Sequence, residues 1–228
     1  MKTEHPERAH RLVLATMLTV AAAFGLLLVT GCGSSDSGST SETVASSGAS
    51  DVGFDAAAAE KYCTDQSGQL VDRVATWNTN GAPSTWVQLA GKKRLCEFES
   101  GTGDSTTRIS VDLVTLYAEQ PTLAGLAYLS KLPVTLPETP SSNPAAYNCT
   151  AGLGGARNFG NGLATGGGWV DEAQPVFKVV SLCVFADGSA IDEFGIFYYA
   201  DGTVRGADLA TKMRYQASDP PPIFTPRT

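Results

Sequence analysis

Cysteines, the acid pair Asp192-Glu193 and a run of glycines are the groups in this chain whose types and spacing could do chemistry. Cys63 and Cys96 lie 33 residues apart, and Cys149 and Cys183 lie 34 apart. A nucleophilic thiol needs a neighbouring base, most often histidine, to form its thiolate. Both histidines, His5 and His10, sit at the extreme N-terminus. Zinc sites of four cysteines show paired close spacings, and these four do not. No Gly-x-Ser-x-Gly elbow occurs, and no Ser-x-x-Lys lies in the folded region. The sequence therefore names no catalytic residue, no metal ligand and no cofactor. Asp192-Glu193 could serve as an acid–base pair or a calcium ligand, but no Asp-rich loop accompanies it. It reads as the solvated start of a strand with one carboxylate turned inward. The glycine-dense stretch Phe159–Trp169 lacks the Lys-Ser/Thr ending of a phosphate loop. Gly166, Gly167 and Gly168, together with Trp77, form the candidate contact loop.

The N-terminus supplies a cellular address. Lys2, Arg8 and Arg11 precede an apolar run from Leu12 to Val29, the layout of an export signal. The run ends in "LLVTGC", which resembles the lipobox of bacterial lipoproteins. That resemblance implies cleavage before Cys32, a diacylglycerol on its thiol and acylation of the new amino terminus; two or more chains hold a protein firmly. Residues 1–31 are thus the signal, and residues 32–54 are the lipidated cysteine with a Ser/Gly tether too polar to form a core. The full chain carries 16 basic and 23 acidic residues; the first 32 hold three and two, leaving 13 and 21. An acidic balance argues against nucleic acid as a partner. The mature chain contains no histidine.

The remainder reads as one unit written twice. "CTDQSG" from Cys63 is followed by "CTAGLG" from Cys149, and Trp86-Val87 by Trp169-Val170. "LCEFESG" is followed by "LCVFADG", and "TLAGLAYLSK" by "TVRGADLATK", with the order preserved. Each unit is expected to be α+β: a helix, three or four antiparallel strands and a short second helix. Asp55 and Asn143 are expected to cap the first helices, with Gly68 and Gly154 ending them. "RISVDLVTLY" alternates as a strand through Tyr117, and Pro121 or Thr203 starts the closing helices. The Trp-Val pairs are expected in the core. Residues 55–132 form the first repeat, 133–142 a Pro-rich linker, 143–215 the second repeat and 216–228 an irregular tail. The duplication favours Cys63–Cys96 and Cys149–Cys183 as disulfides, each contributing about 3 to 4 kcal/mol in the chain-entropy model. The exchanged pairing, Cys63–Cys149 with Cys96–Cys183, is symmetric too and requires close docking of the units.

The second copy resembles a family of short bacterial domains of unknown function that carry the label haemolysin. Tyr62-Cys63 and Cys149–Gly155 match its first motif in part. "CVFADGSAIDEF" matches its second at Cys183, Phe185, Asp187, Gly188, Ser189, Glu193 and Phe194. Ile191 stands where that family has another cysteine, so its bridging does not transfer whole. The resemblance implies no catalytic residue.

The expected function is that of a membrane-anchored, extracytoplasmic lipoprotein: a non-catalytic binding module of the cell envelope with an unidentified protein or envelope partner. The competing readings are an envelope hydrolase or inhibitor acting through Asp192/Glu193 or the glycine-rich loop, and a small-molecule or lipid carrier.

Overall fold

The computed structural model describes residues 54–138, 143–159, 166–173, 179–218 and 224–226. Residues 1–53, which hold the expected signal, Cys32 and most of the expected tether, lie outside the described residues, as do parts of the expected linker and tail. Among the described residues no helix is long and apolar enough to cross a membrane. The fold is α+β, with short helices packed on one curled antiparallel sheet.

Helix α1 (Ala56–Asp65) starts where the Asp55 carboxylate accepts the Ala58 N–H at 3.0 Å. Ser67, not Gly68, takes the left-handed φ of 65° beyond its end. Gly68 is required for another reason: a Cβ there would collide with both sulfurs of the Cys63–Cys96 bridge. In the second half Asn143 caps α4 (Pro144–Tyr147), accepting the Ala146 N–H at 2.8 Å. The chain then enters a π-type turn, Asn148–Gly152. Gly154 takes φ 67°, and Gly155 lies against the Cys149–Cys183 sulfurs as Gly68 does against the first pair. A π turn accommodates an extra residue. It absorbs the difference between separations of 33 and 34, because Gly68 to Cys96 and Gly155 to Cys183 are equally spaced.

The strands are β1 (Gln69–Trp77), β2 (Val87–Ser100), β3 (Thr107–Asp112), β4 (Ala156–Arg157), β5 (Gly168–Asp171), β6 (Val179–Val180), β7 (Leu182–Val184) and β8 (Ala190–Asp192). They form one row, β4-β7-β8-β3-β2-β1-β5-β6. The halves meet at β3 and β8, where Val111 faces Ile191. Only Ser181 separates β6 from β7, so a single stretch of chain belongs to both ends of the row. Asn158 stitches this seam. Its amide donates to Gly167 O at 2.7 Å, and its side-chain oxygen accepts Leu182 N at 3.0 Å. Its φ of 49° suits an asparagine.

One face of the sheet carries the helices. Cys96, Phe98, Ile109, Val111 and Ile191 pack there with Leu116, Tyr128, Ile196 and Met213 and with both disulfides. The other face gathers Ala75, Leu95, Trp169, Val180, Leu182 and Ala190. The two halves thus share one sheet and one helix-side core, where separate units joined by a linker were expected.

Several local expectations need correction. The strand through "RISVDLVTLY" stops at Asp112, because the Asp112 carboxylate accepts the Thr115 N–H at 2.7 Å and starts α2 (Leu113–Tyr117). Asp192 does the same for α5 (Glu193–Ala200), accepting Gly195 N at 2.9 Å. The first closing helix, α3 (Leu123–Ser130), forms with Thr122 as its cap. The second does not start at Thr203. Gly206 takes φ 65° in close contact with Phe98 O and Ile109 N, leaving only a 3-10 turn at Leu209–Thr211. Trp169-Val170 is core, but Val87 is 49% exposed and Trp86 only half-buried. The Trp-Val pairs also occupy different places: Val87 faces Trp77 from β2, whereas Val170 faces Val74 from β5.

The closing segments cross between halves. The N-terminus of α3 is capped by the second half's β7–β8 turn: Leu123 N donates to Asp187 at 2.8 Å and Ala124 N to Ser189 Oγ at 3.0 Å. In return, Gly206 N donates to Thr107 Oγ1 in the first half at 3.0 Å, and Arg214 N donates to Leu116 O at 2.8 Å.

Candidate functional site

Among the described residues, each residue singled out in the sequence has a structural occupation or a place on the surface. The four cysteines form Cys63–Cys96 and Cys149–Cys183, with Cα separations of 5.8 and 5.6 Å. Neither bridge offers a thiol to chemistry. Cys32 lies outside the described residues. Trp77 ends β1 47% exposed, and the turn after it reaches the glycine stretch: Thr79 N and Thr79 Oγ1 both donate to Gly166 O. Gly166 takes φ 92°. Side chains at Gly167 and Gly168 would collide with Phe159 and Val179, so these two glycines serve close packing.

Asp192 and Glu193 are both buried, where a solvated strand start with a single inward carboxylate was expected. The backbone turns from β8 into α5 between them. Glu193 is held by Arg157 in a bidentate pair, at 2.9 Å from Nε and 3.0 Å from the terminal nitrogen. Asp192 serves as a helix cap. Burial pushes its carboxyl up to about 6, opposed by the Gly195 hydrogen bond and by the Arg205 charge. Burial also raises Asp112, the cap of α2.

A charged cluster lies on the sheet face away from the helices. Arg73, fully buried on β1, donates from Nε to Glu97 at 2.5 Å and from a terminal nitrogen to Trp169 O at 3.1 Å. Ser110 donates to the same Glu97 oxygen at 3.0 Å. Next to this cluster a cleft of about 360 Å³ opens between β2–β3, β6 and the segment after α5. Its charged lining is Glu99, Arg108, Asp192 and Arg205, with Val180, Ser181 and Phe194 among its other walls. No local sequence pattern announces this cleft, because its groups come from distant stretches of chain.

Two guanidiniums here keep hydrogen-bonding capacity. Arg108 meets Glu97 at 3.9 Å and Glu99 at 3.8 Å, ion-pair distances too long for hydrogen bonds. Arg205 lies 5.2 Å over the Tyr198 ring, and its Nε is buried without a hydrogen-bond partner. An unsatisfied buried donor costs about 1 to 3 kcal/mol. Among the described residues no group of three or more His, Cys, Asp or Glu is placed to hold a metal ion. The arrangement can bind and orient a polar molecule, and it pairs opposite charges within one recess. No family model matches the chain, and no curated protein or solved structure matches it.

Proposed function

We propose that this chain is a lipoprotein anchored through Cys32 on the extracytoplasmic face of a bacterial membrane, and that its α+β domain is a non-catalytic binding module. The cleft beside Arg108 and Arg205 is its binding site. The observation that carries this reading is how the motif residues are spent. Asp187 and Ser189 cap α3, Asp192 caps α5, and Glu193 is tied to Arg157. That leaves the two arginines as the cationic lining of the cleft. The hydrolase reading through Asp192 and Glu193 is correspondingly weaker, and the small-molecule carrier reading gains from the cleft.

The domain is, in the same proposal, an internal duplication. Supporting it are a row in which β4-β7-β8 mirrors β1-β2-β3, the paired glycines on the disulfides, the paired Asp caps and the reciprocal crossing of the closing segments. Kinship with the haemolysin-labelled domains is part of the proposal too, resting on Cys183, Asp187, Gly188, Ser189 and Glu193.

Three measurements test it. Cys32→Ala should move the protein from the membrane fraction to the soluble one and abolish incorporation of labelled palmitate; incorporation that persists would refute the anchor. Protein purified from cells and then denatured should release a bound small molecule detectable by mass spectrometry, and Arg205→Gln should lose it. Turnover of an envelope substrate that vanishes in Glu193→Gln with the fold intact would overturn the non-catalytic reading.

A further inference from the structure

β2 outruns the strand beside it. β3 pairs with it from Leu95 to Ser100, and at Asp112 the chain turns away into α2. Residues 87–94 of β2 therefore have β1 on one side and, among the described residues, no strand on the other. Between the pairs Val74–Lys92 and Thr76–Gln88, Leu89, Ala90 and Gly91 stand against Ala75 alone, a bulge that bends the strand. A second recess of about 360 Å³ lies at this open end of the sheet. Ala75, Leu89, Gly91, Phe159, Trp169 and Val184 line it. Asn158 is the one polar side chain in the lining, and it is already bonded to Gly167 O and Leu182 N. The recess shares no residue with the Arg108–Arg205 cleft: Leu89 and Gly91 belong to the start of β2, Glu99 to its end. Its apolar surface continues outward, because Trp77, two residues beyond Ala75, faces Val87, and both are exposed.

One charge stands beside this recess. Lys93 Nζ lies 5.9 Å over the ring of Trp169, one of the walls. Its neighbours Lys92 and Arg94 are taken up by Glu172 and by Glu60 and Asp72, whereas the half-buried Lys93 makes no ion pair among the described residues. The Asp112 carboxyl lies within its electrostatic reach but is bonded to Thr115 N as the cap of α2. An apolar recess with one unpaired cation at its wall is complementary to an apolar chain that ends in an anion. We propose that the recess binds a fatty acid, its chain against Leu89, Phe159, Trp169 and Val184 and its carboxylate on Lys93. The volume sits near the lower end of small-molecule sites, roughly 300 to 1,000 Å³, so it takes one chain of moderate length rather than a two-chain lipid. Gly91 keeps the recess open, since a Cβ there already meets Ala75 at 3.3 Å and Trp169 at 3.6 Å.

The test is photo-cross-linking of the full chain, held in phosphatidylcholine nanodiscs, with laurate that carries a diazirine at its chain end. Labelling should saturate and map to the peptides that hold Leu89, Phe159, Trp169 or Val184. Unlabelled laurate should compete, and dodecanol and dodecylamine should each compete at least about fivefold more weakly, as befits one half-buried charge pair. Lys93→Gln should weaken laurate by a similar factor and erase its advantage over dodecanol, with the unfolding midpoint unchanged. Gly91→Leu should fill the recess and abolish labelling; Leu89→Ser, at an exposed position, serves if that variant does not fold, and should weaken labelling about tenfold. Dodecanol competing as well as laurate would overturn the role of Lys93. Labels that map elsewhere, or no saturable labelling, would overturn the site. Label transferred to these same peptides from a diazirine phospholipid of the disc, and not displaced by laurate, would make the membrane surface the occupant and overturn the fatty acid. Because the two recesses share no residue, none of these outcomes bears on the Arg108–Arg205 cleft.

Discussion

Asp192 concentrates several constraints in one side chain. It caps α5 through Gly195 N, it lines the cleft, and burial holds its carboxyl up to about 6. In the unfolded chain the same group titrates near 4. Between those values the native state holds a proton that the unfolded state has lost, so Asp192 makes stability fall as pH rises through that window. The cost is complete above about 6 and on the order of 2 to 3 kcal/mol. Asp192→Asn keeps a capping oxygen and removes the ionisation. Urea unfolding at a series of pH values should therefore show a flatter profile between about pH 4 and 6 in the variant, with higher stability than the parent at pH 7. A variant slope equal to the parent's would mean that the carboxyl titrates normally in the fold.

Among secondary-structure elements, the junction of helix and disulfide is the unit that recurs. In each half a helix end turns through a left-handed residue, Ser67 or Gly154, and presents a glycine to the bridge sulfurs. Gly68→Ala and Gly155→Ala each place a Cβ on sulfur, an overpacking that costs about 1 to 3 kcal/mol. Chemical denaturation should show both losses, with Ser67→Ala as the mild control. A loss in one variant and not the other would show that the two junctions differ in how far they relax.

The same elements show what could be read in advance. Cysteine pairing, the Asp55 and Asn143 caps and the π turn's extra residue all leave marks in local spacing. The helix after Asp112 is harder to read. "LVTLY" is too short to separate a period of two from one of 3.6, and the Asp cap before it was the available signal. Burial of Asp192 and Glu193 has the same origin, since an unrecognised cap left them reading as a strand start. The seam at Ser181 and the meeting of β3 with β8 were not legible. Each depends on chain segments far apart in sequence, and β3 meets β8 through the single pair Val111–Ile191. The cleft shares that fate, because Arg108 and Arg205 become neighbours only through the crossing of the closing segments.

For the whole molecule, the shared sheet and the crossing determine how the protein unfolds. α3 belongs to the first half by sequence, yet it is capped by Asp187 and Ser189 and packs beside α5. The segment after α5 packs on α1 and α2: Tyr62 OH donates to Lys212 O at 3.1 Å, and Lys212 Nζ to Gln66 O at 3.0 Å. Neither half has a complete set of caps or a complete core without the other. Unfolding should be a single cooperative transition in which circular dichroism and tryptophan fluorescence coincide. Two resolved transitions would show that the halves are energetically separate.

The crossing has a further consequence for the connection after α3. Residues 133–138 are largely exposed and carry prolines. Cutting the backbone there severs no sheet pairing, because β3 and β8 are joined by hydrogen bonds rather than by this loop. A protease site inserted in this stretch should yield two fragments that travel as one species through gel filtration and separate only in denaturant. By that expectation the two halves would behave as a self-complementing split pair, held by packing and hydrogen bonds across the β3–β8 seam.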